Sequence, residues 1–277
     1  MRWADLDMLG HVNNVVYVDY LQEARVDLIR TLLGERRDDL AEGVVVVRHE
    51  VTYLSPMGLR FRAVSIECWV TQIRAATFTL AYELFHEDDD GIRQVYARAV
   101  TVLTPYVFDL ERPRRISPEE RIALEAYLED SVPPGPPISR VTRASAFHYP
   151  LHVRFSDVDV FRHVNNVKYL EYLQESRIRL VAEITHGHDV DSPHFVIAQI
   201  DVDYRAPILL RAKPYDLWSE VTHVGNRSMT IESEIADGER TLARGRVTVV
   251  FFDPATQRST APAPDLHKLL QQALVHS

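Results

Sequence analysis

The sequence predicts an α+β protein built from two copies of one unit, each an amphipathic helix followed by four antiparallel strands. Three observations carry this reading. The segment Arg2-Trp-Ala-Asp5-Leu-Asp7-Met-Leu-Gly-His11-Val-Asn13-Asn14-Val-Val-Tyr17 returns as Arg154-Phe-Ser-Asp157-Val-Asp159-Val-Phe-Arg-His163-Val-Asn165-Asn166-Val-Lys-Tyr169. Through Arg25 and Arg177 the two stretches share 14 of 24 positions at an offset of 152. Internal repetition at that spacing marks a duplicated domain. The chain has 277 residues, which suits two domains of about 140 residues each. Behind each repeat, helical periodicity gives way to alternating strand patterns separated by turn residues.

The elements follow in order. Apolar residues at 17, 21, 24, 28 and 32 give a helix over 15–33, and 167–184 repeats it. Strands are expected at about 44–54, 62–73, 76–86 and 93–104, then at 195–205, 214–224, 228–236 and 241–252. Asp88-Asp-Asp-Gly91, Gly225-Asn226 and Asp237-Gly238 supply turns between them. Tyr53-Leu-Ser-Pro56 matches Tyr204-Arg-Ala-Pro207 at an offset of 151. Ser117-Pro118-Glu119-Glu120 opens a helix to about Leu128, with Ser at the cap, Pro first and acids in the first turn. A similar helix, about 265–275, closes the second half. Val132-Pro-Pro-Gly-Pro-Pro137 is expected to be a stiff linker. The domains expected are 1–130, a Pro-rich linker over 131–144, and 145–277. A strand at about 147–155 leads into the second repeat, where the first has only Met1-Arg2-Trp3. Either the true start lies upstream or the first sheet is one strand short. One helix cannot cover such a sheet unless the sheet curls around it, and joining two such sheets edge to edge removes an exposed edge.

Composition narrows the function. Hydrophobic content of 46% and charged content of 26% describe an ordinary globular protein. A formal charge of −9 argues against nucleic-acid binding, which needs a basic face. It leaves room for an anionic ligand held by a few local cations. Cys68 is the single cysteine, so no internal disulfide or multi-cysteine zinc site is expected. No apolar run reaches the roughly 20 residues of a membrane span, and no signal peptide is recognised, so the cytoplasm is the default expectation. The chain lacks a Gly-x-Ser-x-Gly elbow and a phosphate-binding Gly-x-x-x-x-Gly-Lys loop. His186-Gly-His188 with His194 is read as loop rather than metal site, and no metal or cofactor is expected.

The pattern Asp-x-Asp-x-x-(Gly/Arg)-His-Val-Asn-Asn-x-x-Tyr resembles the 4-hydroxybenzoyl-CoA thioesterase-like branch of the hotdog thioesterases. The likeness covers nearly the whole chain as a tandem. It implies a double hotdog, two antiparallel sheets each wrapped around a central helix and joined edge to edge. It also implies hydrolysis of an acyl-CoA thioester to free acid and CoA. In that family the second Asp is the catalytic carboxylate, which maps onto Asp7 and Asp159. The carbonyl-binding backbone N–H lies seven positions later, which maps onto Asn14 and Asn166.

The residues suit this chemistry. Thioester hydrolysis needs a carboxylate to activate water or to attack, and donors for the developing oxyanion. A helix N-terminus offers such donors. Asp5 and Asp157 are read as structuring the loop through backbone hydrogen bonds. His11 and His163 are read as pinning the loop, with a general-acid role as the alternative. Asn13 and Asn165 are read as helix caps. Tyr17 and Tyr169 either wall the acyl pocket or simply pack. Glu23 and Glu175 are expected to pair with an arginine of the sheet. Arg112-Pro-Arg114-Arg115 is read as solvated surface, with contact to CoA phosphates as the alternative.

Two other readings compete. His163-Val-Asn-Asn-Val-Lys-Tyr169 closely resembles the second domain of plant-type acyl-(acyl carrier protein) thioesterases. Those carry an Asn two residues before the His, where this chain has Phe161, and Leu9 in the first copy. The other is a non-catalytic acyl-CoA-binding hotdog protein, against which the presence of both Asp residues in both copies counts. The expected partner is an acyl-CoA or acyl-carrier-protein thioester. Assembly of double units into a homo-oligomer would supply pairing for the short first sheet.

Overall fold

The computed structural model describes residues 1–33, 42–60, 62–130, 135–190 and 194–274. They form two compact units, Met1–Pro136 and Pro137–Ser277.

The first unit opens on a 3-10 turn, Trp3–Asp5, and continues into helix α1, Asn14–Leu33. Four long strands follow: β1 Glu42–Tyr53, β2 Ser65–Ile73, β3 Phe78–Glu87 and β4 Arg93–Val107. They form an antiparallel sheet in the order β2-β3-β4-β1, and the short β5, Arg112–Pro113, pairs with β4. Helix α2, Pro118–Glu125, closes the unit.

The second unit has the same plan with one strand more. Strand β6, Phe147–Leu151, precedes a 3-10 turn at Phe155–Asp157 and helix α3, Lys168–Thr185. Then come β7 Phe195–Tyr204, β8 Tyr215–Val224, β9 Ser228–Asp237, β10 Arg240–Asp253, the short β11 Arg258–Ser259 and helix α4, Pro264–Gln272. The sheet order is β7-β10-β9-β8-β6, with β11 on β10. Among the described residues the first unit has no counterpart of β6. The molecule is a double hotdog, two domains of one fold in tandem.

What curls each sheet is also duplicated. Among the described residues each sheet carries three bulges, where one strand has an extra residue. These are Val47, Thr71 and Tyr96 in the first unit and Ala198, Thr222 and Leu242 in the second. A bulge raises local twist and bends its strand, so the sheet wraps its helix. Buried residues of α1 (Tyr17, Val18, Leu21) and of α3 (Tyr169, Leu170, Tyr172, Leu173, Leu180, Val181) face the cores so formed. A side chain at Gly245 of β10 would place its Cβ 2.5 Å from Leu173 Cδ1, so glycine there lets α3 lie close on the sheet.

The small helices are pinned as their sequences suggest. Ser117 Oγ accepts the Glu120 N–H at 3.2 Å, and the Glu120 carboxylate accepts the Ser117 N–H at 2.9 Å. This reciprocal box fixes the start of α2. The chain after α2 docks at the β2 bulge, where the Val70 N–H donates to Tyr127 O and the Glu129 N–H to Val70 O, both at 2.9 Å. Val221 and Leu274 repeat the bridge after α4. Both helices end a few residues short of the expectation, and Val275 lies outside the described residues. Strand β6 also stops early, at Leu151, because the chain must turn into Phe155–Asp157.

Of the expected linker, residues 131–134 lie outside the described residues. The rest is anchored. The Gly135 N–H donates to the Glu50 carboxylate at 2.9 Å. Ile138 and Val141 are buried. The Thr142 N–H reaches Glu220 at 3.0 Å, and Arg143 bonds Glu234 at 2.7 Å. Burial alone would raise the Glu234 carboxyl, but the Arg143 and Arg244 guanidiniums hold it below its ordinary pKa.

Candidate active site

The repeated motif folds into the same loop in both units. Asp7 and Asp159 each organise a tight turn. The Asp7 N–H donates to His11 O at 2.7 Å, and Asp7 Oδ1 accepts the N–H groups of Leu9 and His11 at 2.8 and 3.1 Å. The Asp159 N–H donates to His163 O at 2.8 Å, and its Oδ1 accepts from Phe161 and His163 at 2.9 and 3.2 Å. Each carboxylate is thus held by one oxygen, and its second oxygen has no hydrogen bond among the described residues. Asp7 is half-buried and Asp159 exposed. The turn needs a left-handed residue, which is Gly10 (φ +76°) in one copy and Arg162 (φ +64°) in the other. For an arginine that conformation costs about 1–2 kcal/mol.

The loop is tied to its helix by the other aspartate. Asp5 accepts the Tyr20 hydroxyl at 2.6 Å and the Arg2 N–H. Asp157 accepts the Tyr172 hydroxyl at 2.7 Å and the Arg154 N–H at 2.8 Å. Their carbonyls receive the N–H groups of Asn13 and Asn165 at 2.8 and 2.9 Å. Burial, and then the facing carboxylate, push the Tyr20 and Tyr172 phenols well above their ordinary pKa, so both remain donors.

At the helix start, Asn13 Oδ1 accepts the Val15 N–H and Asn165 Oδ1 the Val167 N–H, both at 2.9 Å. The cap therefore serves the residue after Asn14 and after Asn166, not their own N–H groups. The carbonyls of Asn14 and Asn166 accept the Tyr53 and Tyr204 hydroxyls at 2.8 and 2.9 Å.

The turn after β1 or β7 completes the site. The Val12 N–H donates to Met57 O at 2.7 Å and the Val164 N–H to Ile208 O at 2.9 Å, with bridges His11–Gly58 and His163–Leu209 beside them. Tyr17 and Tyr169 accept the N–H of Met57 and Ile208 at 3.1 and 3.2 Å. Both rings are buried, edge-on to Tyr53 and Tyr204. Burial pushes their phenols far up, so they act as neutral fixed dipoles. The bulge carbonyls hold the same turn. Tyr96 O accepts the N–H groups of Leu54 and Ser55, and Leu242 O those of Arg205 and Ala206. Sheet curvature and loop position therefore share one device.

Tyr20, Tyr53, Tyr172 and Tyr204 are absent from the sequence-derived site, although each stands at the same place in both copies. That repetition was the signal. Glu23 and Glu175 differ from expectation. Both are exposed and have no ion pair among the described residues, because they lie on the outer face of their helices. Arg114 of the basic cluster is forked onto Glu120 at 2.8 Å through both nitrogens, so it serves the α2 start. His186 caps the end of α3, and His188 and His194 are exposed. Cys68 is a free thiol whose pKa burial pushes up to about 12. No described helix is long and apolar enough to cross a membrane.

Two hotdog units, each with an aspartate loop packed on the start of its central helix, define a tandem thioesterase-type architecture. The family model of the thioesterase-like superfamily matches residues 1–124 and again 153–273, and the chain belongs to that superfamily. It is 29% identical to the long-chain acyl-CoA thioesterase FadM of Escherichia coli over 128 residues, 44% of this chain and 95% of that protein. Two solved structures share the tandem fold at 18% identity. One is a protein assigned as an oleoyl thioesterase from Lactobacillus plantarum (TM-score 0.73, covering 91% of this chain and 94% of that one). The other is the 12:0-ACP thioesterase of Umbellularia californica (TM-score 0.72, 91% of each chain).

Proposed function

We propose that this protein is a thioester hydrolase acting on acyl-CoA, with Asp7 and Asp159 as the reacting carboxylates. The observation that carries the reading is the duplicated aspartate, held by one oxygen and presented on a loop packed against the start of a long helix. In each copy the carboxylate takes a proton from water as the water oxygen attacks the thioester carbonyl carbon. Direct attack, giving a mixed anhydride that water then hydrolyses, uses the same group. The carbonyl oxygen gains negative charge and is received by the backbone N–H of Asn14 or Asn166, at the positive end of the helix dipole. The C–S bond breaks with its electron pair on sulfur, the CoA thiolate takes up the proton that water gave to the aspartate, and thiol and acid are released. Asp5, Asp157, Asn13, Asn165, Tyr17 and Tyr169 position the loop, and His11 and His163 hold its turn through their backbones.

An acyl-carrier-protein thioester is the second reading, favoured by likeness to the Umbellularia fold. The side chains at Leu9 and Phe161 speak for the simpler aspartate site instead. A panel of acyl-CoA and acyl-carrier-protein thioesters, read by release of free thiol, tests both. Hydrolysis of acyl-CoA by the wild type and its loss in the Asp7→Asn/Asp159→Asn double variant is the expected result. Full activity in a folded double variant would reject the reading.

A further inference from the structure

The two loops are alike in backbone and unlike in charge. Arg162 stands where the first copy has Gly10, in a left-handed turn position that glycine occupies without strain. A side chain kept in such a conformation points to use of that side chain. Arg162 lies between Phe161 and His163, the two residues whose N–H groups hold Asp159. Its side chain is exposed, with no hydrogen bond or ion pair among the described residues. Two further exchanges of a neutral residue for a base surround the second loop. Lys168 replaces Val16 in the first helical turn, and Arg205 replaces Leu54 after the tyrosine that bonds the helix start. Lys168 is paired with Glu171 at 2.6 Å, and Arg205 has Asp203 at 3.9 Å. Of the three, Arg162 alone forms no ion pair among the described residues, although Asp159 lies in the same turn. The chain as a whole carries −9, so a polyanionic ligand is repelled at long range and needs a local cation at the site.

We infer that the second copy is the one that seats a coenzyme A thioester, and that Arg162 contacts the phosphates of the carrier. This rests on the proposed hydrolysis at Asp159. Guanidinium suits the task because its forked donors match phosphate oxygens. The first copy, with Gly10, has no such contact and binds the same carrier more weakly.

The test uses the full chain carrying Asp7→Asn, so that only the second loop turns over. Arg162→Gly and Arg162→Lys are compared in that background. The readouts are the affinity for free CoA by calorimetry, and kcat/KM on acyl-CoA and on the matching acyl-N-acetylcysteamine thioester, which has no phosphate. Arg162→Gly is expected to weaken CoA by about fivefold, the scale of one exposed charge contact. The preference for acyl-CoA over the phosphate-free thioester falls by the same factor. Arg162→Lys keeps part of both, and the salt dependence of CoA binding becomes shallower in the glycine variant. Its melting temperature is not lowered, because the turn is relieved of strain. Unchanged CoA affinity, an equal loss on both thioesters, or a loss seen only with an acyl-carrier-protein substrate would overturn the inference. Asp159→Asn separates the two claims. If it leaves hydrolysis intact while Arg162→Gly weakens CoA, the hydrolytic assignment fails and the phosphate contact stands. If it abolishes hydrolysis while Arg162→Gly leaves CoA affinity unchanged, the phosphate contact alone is lost.

Discussion

Two aspartates two residues apart divide the work of each loop. Asp157 is buried and accepts a tyrosine hydroxyl and a backbone N–H, whereas Asp159 is exposed and offers one oxygen outside the turn. Their variants should therefore fail in different ways. Asp157→Ala leaves the Tyr172 hydroxyl and the Arg154 N–H without their acceptor and should cost about 1–3 kcal/mol of stability, read by urea unfolding. Asp159→Asn keeps the turn's acceptor oxygen, so its melting temperature should stay close to that of the wild type. With Asp7→Asn added, the rate should fall at least ~10²-fold, a typical general-base contribution. Stable, active Asp157→Ala would show that the tyrosine contact does not fix the loop. Cys68 gives a further check. With its thiol pKa near 12 it should react far more slowly with thiol reagents in the native protein than after unfolding.

At the scale of elements, most of the architecture was legible in the sequence. The repeat, the 3.6-residue apolar stripe and the Ser-Pro-Glu-Glu cap each follow from local chemistry, and the helices and strands lie close to their expected ranges. The bulges at Val47, Thr71, Tyr96 and their partners were not legible, because a bulge depends on the register between two strands and neither strand alone encodes it. For the same reason Tyr53 and Tyr204 stood out as matching landmarks, while their bonds to Asn14 and Asn166, 39 and 38 residues away in sequence, did not. The close approach of α3 to β10 is a register effect too. Gly245→Ala should cost about 1–3 kcal/mol through overpacking on Leu173. Leu173→Ala in the same chain should recover part of that loss, so that the double variant is more stable than the two single costs added. Strict additivity would place the clash elsewhere. Across β8 and β9, Glu220 faces Glu232 in register, and both are buried. Burial raises the Glu220 carboxyl above its ordinary pKa, although the Thr142 N–H favours the ionised form. A raised acid is penalised when ionised, so the penalty is full above its folded pKa and absent below its unfolded one. Glu220→Gln should therefore stabilise the protein at pH 8 relative to wild type, and the gap should close as the pH falls through the carboxylate range. A gap that widens on acidification would reverse the sign of this argument.

For the whole molecule, duplication has kept the geometry of two sites and changed what supports them. In the second unit β6 pairs with β8 from Phe147–Ser219 to Leu151–Tyr215, and the buried Leu151 and Val153 carry the chain from that strand towards Asp157. In the first unit the 3-10 turn Trp3–Asp5 contributes no buried residue, whereas the matching turn of the second buries Asp157. Local opening free energy follows burial and backbone pairing, so the first loop should open more readily. Amide exchange at Asp7 and His11 should be faster than at Asp159 and His163. The second loop, expected to open less, also has the more exposed carboxylate, so Asp159 should be the better preorganised and the more accessible group. Asp159→Asn should consequently remove the larger share of kcat/KM on acyl-CoA, and Asp7→Asn the smaller, when each is measured singly in the full chain. Equal single losses with equal exchange rates would show that the strand behind the second loop does not govern turnover. Equal losses with unequal exchange would separate loop stability from catalysis and leave the carboxylates themselves as the limiting groups.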